Sequence, residues 1–145
     1  MSERPSAHRR AQYVHFLPIQ TRWSDNDAYG HVNNVVYYSW FDTVVNEYLI
    51  AAGALDIQTS AVVGLVVETQ CNYFSELAFP QQVDAGLRVA HAGRSSVRYE
   101  LALFAAAADA ASAQGHFVHV YVDRASGRPV PLPPSLRAAI ERLCP

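Results

Sequence analysis

Asn34–Gly53, which reads NVVYYSWFDTVVNEYLIAAG, decides how this chain folds. As a helix over Asn34–Ala52 it is about 28 Å long at 1.5 Å per residue. Gly53 follows as a natural stop, because glycine tolerates the positive φ that often ends a helix. Val35, Val36, Tyr37, Tyr38, Trp40, Phe41, Val44, Val45, Tyr48, Leu49 and Ile50 occupy most of the circumference. Only Ser39, Asp42, Thr43, Asn46 and Glu47 give the helix a narrow polar side. Such a helix has to be enclosed by other elements or by a partner subunit. Tyr37, Tyr38 and Trp40 are accordingly assigned to the core or to a subunit interface.

The enclosing elements lie on both sides of it. Upstream, Tyr13–Arg22 is rich in aromatic and β-branched residues and reads as a strand, with Pro18 implying an edge or a bulge. Downstream, residues 62–74, 82–93, 97–106 and 113–122 read as four more strands. Val97, Tyr99, Leu101 and Leu103 alternate with Ser96, Arg98, Glu100 and Ala102, the period of a half-buried strand. Gly93-Arg94-Ser95-Ser96 is short enough to be a hairpin turn. The alanine-rich run 105–113 is taken as a loop, and residues 135–143 as a short closing helix. A strand, a long helix and four consecutive strands point to an α+β fold, an antiparallel sheet with one helix laid on it. Residues 1–12 are expected to be disordered, and residues 13–145 to form a single domain.

Composition excludes several chemistries. The chain has 145 residues, half of them apolar and 17% charged, and its 11 basic residues are all arginine. Without lysine there is no Schiff-base chemistry and no Walker A phosphate site. A net charge of −2 argues against nucleic acid as a partner. No stretch approaches the roughly 18 apolar residues of a membrane helix, and Met1–Gln12 lacks the apolar core of a secretory signal. Cys71 and Cys144 share no metal spacing and read as free thiols in a reducing cytosol. The protein is therefore expected to be cytoplasmic, with no membrane partner.

The densest polar cluster, Asp25-Asn26-Asp27-Ala28-Tyr29-Gly30-His31-Val32-Asn33-Asn34, immediately precedes the apolar helix. Helix N-termini present unpaired N–H groups and partial positive charge, which can polarise a carbonyl. A carboxylate beside them can act as base or nucleophile. Capping alone needs one Asp or Asn, and this cluster has more. Calcium is excluded, because Tyr29 and Val36 stand where an EF-hand loop needs oxygen ligands. Gly93-Arg94-Ser95-Ser96-Val97 lacks the closing glycine of a nucleophile elbow. His116 and His119 face opposite sides of a strand, so they make no zinc pair.

Asp25 through Tyr37 resembles the signature of hot-dog fold acyl-CoA thioesterases, and is similar to the 4-hydroxybenzoyl-CoA thioesterase-like family. Supporting matches are Val66-Val67-Glu68 with Tyr73 before Phe79-Pro80, the Gly93–Ser96 turn, and Val120-Tyr121-Val122-Asp123 with Arg128-Pro129-Val130. The resemblance spans roughly residues 13–133. It implies the hot-dog fold, a long central helix wrapped by a curved antiparallel sheet. It also implies hydrolysis of an acyl-CoA thioester to a free acid and CoA, with no metal and no other cofactor.

Residue by residue, the resemblance implies Asp27 as nucleophile or general base. His31 would orient that carboxylate or a water, and Asn33 would orient substrate or loop. The amide of Asn34 would polarise the thioester carbonyl, and Arg94, Ser95 and Ser96 would bind CoA. Asp25 is assigned to loop structure, and Glu68 to a buried partner or a second acid. The implied assembly is a homodimer with a continuous sheet and two interface sites, or a homotetramer of such dimers. A hot-dog hydratase or dehydratase and a non-catalytic acyl-CoA-binding module are the alternatives. Crotonyl-CoA hydration would mark the first, and saturable binding without thiol release the second.

Overall fold

The computed structural model describes residues 5–145. Its elements are β1 (His15–Gln20), α1 (Asn34–Ala51), β2 (Val62–Tyr73), β3 (Gln82–Ala92), β4 (Ser96–Ala105), β5 (Ala113–Asp123) and α2 (Pro134–Glu141). The five strands form one open sheet in the order β1-β3-β4-β5-β2, with every neighbouring pair antiparallel. The α+β architecture, a long helix on a curved antiparallel sheet, is the one the sequence predicts. Register shifts between Val66 and Glu68 on β2 and between Val89 and His91 on β3 mark irregularities of the kind that bend strands. Pro18 lies on the outermost strand, where its missing N–H costs the ladder least.

The alternation read in β4 is the alternation observed. Val97, Tyr99, Leu101 and Leu103 are fully buried beneath α1, together with Val83, Ala85, Leu87 and Val89 of β3. From α1, the buried residues Tyr37, Trp40, Phe41, Val44, Val45 and Leu49 meet them. One flank of α1 stays uncovered: Val35 is 63% and Ile50 45% exposed. Gly53 has φ +73° and donates to the Ile50 carbonyl, so it ends the helix as read. At the far end of the sheet, Leu143 O accepts from Val89 N–H, and the Arg137 guanidinium donates to Gly93 O at 2.9 Å. Among the described residues, no helix is long and apolar enough to cross a membrane.

One expectation needs correction. Of the first dozen residues, Met1–Arg4 lie outside the described residues, but residues 5–12 pack on the outer face of the sheet. Arg10 pairs with Asp84 at 2.7 Å and lies 5.0 Å from the Phe104 ring centroid. His8 N–H donates to Gln114 Oε1 at 2.6 Å, and Arg10 N–H to Asp109 O at 2.9 Å. The segment carries charge without periodicity, and its partners are supplied by β3, β5 and the 106–112 loop.

β2 and β5 approach closely at Gly115. A Cβ there would collide with the Gln70 main-chain oxygen and fall 3.0 Å from Cys71 Cα. Gly115→Ala is expected to push β2 away from β5 and to cost about 1–3 kcal/mol. Thermal unfolding followed by circular dichroism should show a drop of several degrees; unchanged melting would show that β2 can shift without loss.

Candidate active site

The loop before α1 is held by its own short-range hydrogen bonds. Asp27 N–H donates to His31 O at 2.8 Å and Gly30 N–H to Asp27 O at 3.1 Å, closing a turn in which Gly30 has φ +83°. That conformation favours glycine. The Asp27 carboxylate accepts from Tyr29 N–H at 2.8 Å and, at 3.5 Å, from His31 N–H. Beneath the turn, Val32 N–H donates to Leu77 O and Asn33 N–H to Asp25 O, each at 2.8 Å. Asp25 is buried, and its carboxylate receives the Arg22 main-chain N–H and guanidinium, both at 2.7 Å. The loop-building role read for Asp25 is the one the contacts support.

Asp27, His31 and Asn34 line one open cleft of about 430 Å³ with Tyr37, Tyr73 and Glu76. Asn34 is the first residue of α1, so its N–H has no acceptor within the helix and sits at the positive end of the dipole. Tyr73 donates to Asn34 O at 3.2 Å, and the Tyr37 and Tyr73 rings lie 5.0 Å apart. Burial pushes the Tyr37 phenol up to about 12 and the Tyr73 phenol well above its ordinary value. Both stay neutral near pH 7 and can donate hydrogen bonds. Burial likewise raises the Cys71 thiol to about 11, which keeps it from acting as a nucleophile.

His31 Nδ1 lies in contact with the Glu76 carboxylate. Glu76 lines the cleft without being revealed by the sequence: it stands on the loop after β2, with no spacing that links it to His31. Tyr73 carries a signal, as part of the motif after Glu68, without an indication that it reaches the helix start.

Other sequence-predicted residues are placed elsewhere. Asn33 caps α1, its side-chain oxygen accepting from Val35 N–H at 3.2 Å. Arg94, Ser95 and Ser96 form the β3–β4 turn, at the opposite end of the sheet from the cleft. Ser96 pairs with Val120 of β5, whereas Tyr73 at the cleft pairs with Ala113. At about 3.3 Å per residue along a strand, roughly 25 Å separates the turn from the cleft within one chain. Glu68, read as a buried partner or second acid, is exposed and paired with His116 Nε2 at 2.8 Å on the face away from α1. Arg98 approaches His116 Nδ1 at 3.2 Å; a guanidinium only donates, so Nδ1 accepts and Nε2 carries the proton toward Glu68. Among the described residues, no group of three or more His, Cys, Asp or Glu side chains could hold a metal ion.

Residues 21–140 match the family model of the thioesterase-like superfamily. The chain belongs to that superfamily. Its general chemistry is thioester hydrolysis, and the fold above is its hot-dog fold. This thioesterase-like chain is 58% identical to the PA5185 protein of Pseudomonas aeruginosa strain PAO1, with a TM-score of 0.93 over 95% of this chain and 96% of that one. It is 31% identical to PA2801, a candidate thioesterase of Pseudomonas aeruginosa, with a TM-score of 0.81 over 89% and 99% of the two chains. A 1,4-dihydroxy-2-naphthoyl-CoA thioesterase from Synechocystis shares the fold at 16% identity, with a TM-score of 0.78 over 86% and 93%. No curated protein matches the sequence.

The cap at Asn33 generates a prediction about stability. Asn33→Ala is expected to cost about 1 kcal/mol by leaving the Val35 N–H without its side-chain acceptor. Urea unfolding should show the loss, and Asn33→Asp should recover it; equal midpoints for all three proteins would remove the cap from the account.

Proposed function

We propose that this chain is a cytoplasmic acyl-CoA thioesterase of the 4-hydroxybenzoyl-CoA thioesterase-like group, which releases a free acid and CoA. One observation carries the reading: the Asp27 carboxylate shares a cleft with His31 and with Asn34, whose N–H has no acceptor within the helix. The Asn34 amide polarises the thioester carbonyl and holds the negative charge that develops on its oxygen. Loss of one such donor typically costs about 10²–10³ in turnover. Asp27 then works in one of two ways. As general base it takes a proton from water while the new C–O bond forms; as nucleophile it forms an anhydride that water opens. In both, the C–S bond breaks and the CoA sulfur leaves with a proton. With its Nδ1 on Glu76, His31 keeps Nε2 for orienting the water or the carboxylate.

CoA requires a second copy of the chain. Among the described residues the outer edge of β2 pairs with no strand, and Leu65, Val66 and Val67 on it are 51%, 48% and 60% exposed. Antiparallel pairing of two such edges about a twofold axis brings the Arg94–Ser96 turn of one copy toward the Asp27 cleft of the other. Arg94 is exposed, and its planar fork suits phosphate oxygens, with Ser95 and Ser96 beside it. The assembly is a homodimer or a homotetramer of such dimers. Cys71 and Cys144 are both free thiols, in keeping with a reducing compartment.

Two substitutions test these roles. Asp27→Asn should fold and melt like the wild type while losing about 10²–10⁴-fold in hydrolysis across a panel of acyl-CoAs, read as released thiol; wild-type turnover would overturn the mechanism. Arg94→Ala should raise KM for acyl-CoA more than it lowers kcat, and an unchanged KM would return Arg94 to the solvated surface.

A further inference from the structure

The main chain brings His31 and Glu76 together. Val32 N–H donates to Leu77 O at 2.8 Å, and His31 and Glu76 are the residues just before these two. Val32 and Leu77 are both buried, so this bond is anchored at each end. Ahead of Glu76, the Phe74 and Ser75 N–H groups donate to Ser112 O at 2.8 and 3.1 Å, and the Ser75 and Ser112 hydroxyls are 3.0 Å apart. On the other strand of the contact, His31 O accepts from Asp27 N–H at 2.8 Å. The loop after β2 and the loop before α1 are thus tied on both sides of the place where His31 Nδ1 touches the Glu76 carboxylate.

This contact does little for stability. The two side chains are 47% and 65% exposed, and pairs in that setting contribute almost nothing to folding. Its effect falls on the ring. A neutral imidazole carries one proton, and a carboxylate at Nδ1 holds that proton there, which leaves Nε2 as an acceptor. The Asp27 carboxylate does not compete for the ring. It accepts from the Tyr29 N–H at 2.8 Å and from the His31 main-chain N–H at 3.5 Å, and among the described residues it makes no hydrogen bond or ion pair with the imidazole. Glu76 is therefore the group that meets the ring, and both line the cleft with Asp27 and Asn34.

We propose that Glu76 is a positioning residue: it fixes the His31 ring with the proton on Nδ1 and so leaves Nε2 to accept a hydrogen bond from the water that attacks the thioester. What Nε2 does rests on the thioesterase reading; how the ring is held does not. The role needs an acceptor at this place and not a negative charge, which separates it from an electrostatic one.

Proton–¹⁵N correlation spectra of His31 in the full chain test it without substrate, at about pH 8, above the ordinary histidine range. The wild type should show a protonated Nδ1 and a bare Nε2. Glu76→Leu, of similar volume but with no acceptor, should lose that preference, whereas Glu76→Gln, whose amide oxygen still accepts, should keep it. In thiol-release assays with a panel that includes benzoyl-CoA and octanoyl-CoA, Glu76→Leu should lose about tenfold or more in kcat with KM little changed, and Glu76→Gln should recover most of the loss. All three proteins should melt together; should Glu76→Leu not fold, Glu76→Ala takes its place. A proton on Nε2 in the wild type, an unchanged tautomer or kcat in Glu76→Leu, or a Glu76→Gln as impaired as Glu76→Leu would overturn the assignment. If the wild type releases thiol from no ester of the panel, the thioesterase reading fails, and the spectra alone decide whether Glu76 sets the ring.

Discussion

The apolar surface of α1 has to be kept from water, and a sheet can reach only one side of a helix. Burying Tyr37, Trp40, Phe41, Val44, Val45 and Leu49 contributes on the order of 10 kcal/mol, an upper estimate since the unfolded chain already buries part of this surface. This contact fixes where everything else can be. The sheet must curve to follow a helix about 28 Å long, and the helix N-terminus comes out at the end of the sheet, beside the loop after β2. The cleft proposed to carry the chemistry therefore lies at the rim of the core, beside a rigid element.

The loop at that rim divides its polar residues between those that build it and those that face the cleft. Asp25 and Asn33 turn inward, one onto Arg22 and the other onto the first turn of α1. Asp27 and His31 face the cleft. The division follows from burial. Asp25 is 1% exposed, and main-chain and guanidinium donors satisfy its carboxylate there. Asp27 receives fewer, weaker bonds, and its carboxylate keeps lone pairs open toward the cleft.

The fold was legible because its signals are local and periodic. The β4 alternation, the Gly53 stop, Pro18 on an edge and the two opposite faces of His116 and His119 each follow from residues within a few positions of one another. The Asp27–Asn34 cluster was legible for the same reason. What escaped depends on distant partners: Arg10 is ordered by Asp84, and His31 meets Glu76 across the fold. Glu68 looked buried because its neighbours Val66 and Val67 are apolar, yet all three lie on an uncovered edge strand. Spacing likewise could not show that the Arg94 turn and the Asp27 loop sit at opposite ends of one sheet.

The two edges of that sheet are unlike. β1 carries Pro18, which offers no N–H, and ends at a chain segment folded back over the outer face. β2 is longer, carries exposed valines and a leucine, and has no proline. Strand addition is thus favoured on one side only. A ribbon with a single open edge stops growing once that edge is used, so the proposed pairing at β2 would be closed rather than open-ended and fibre-like.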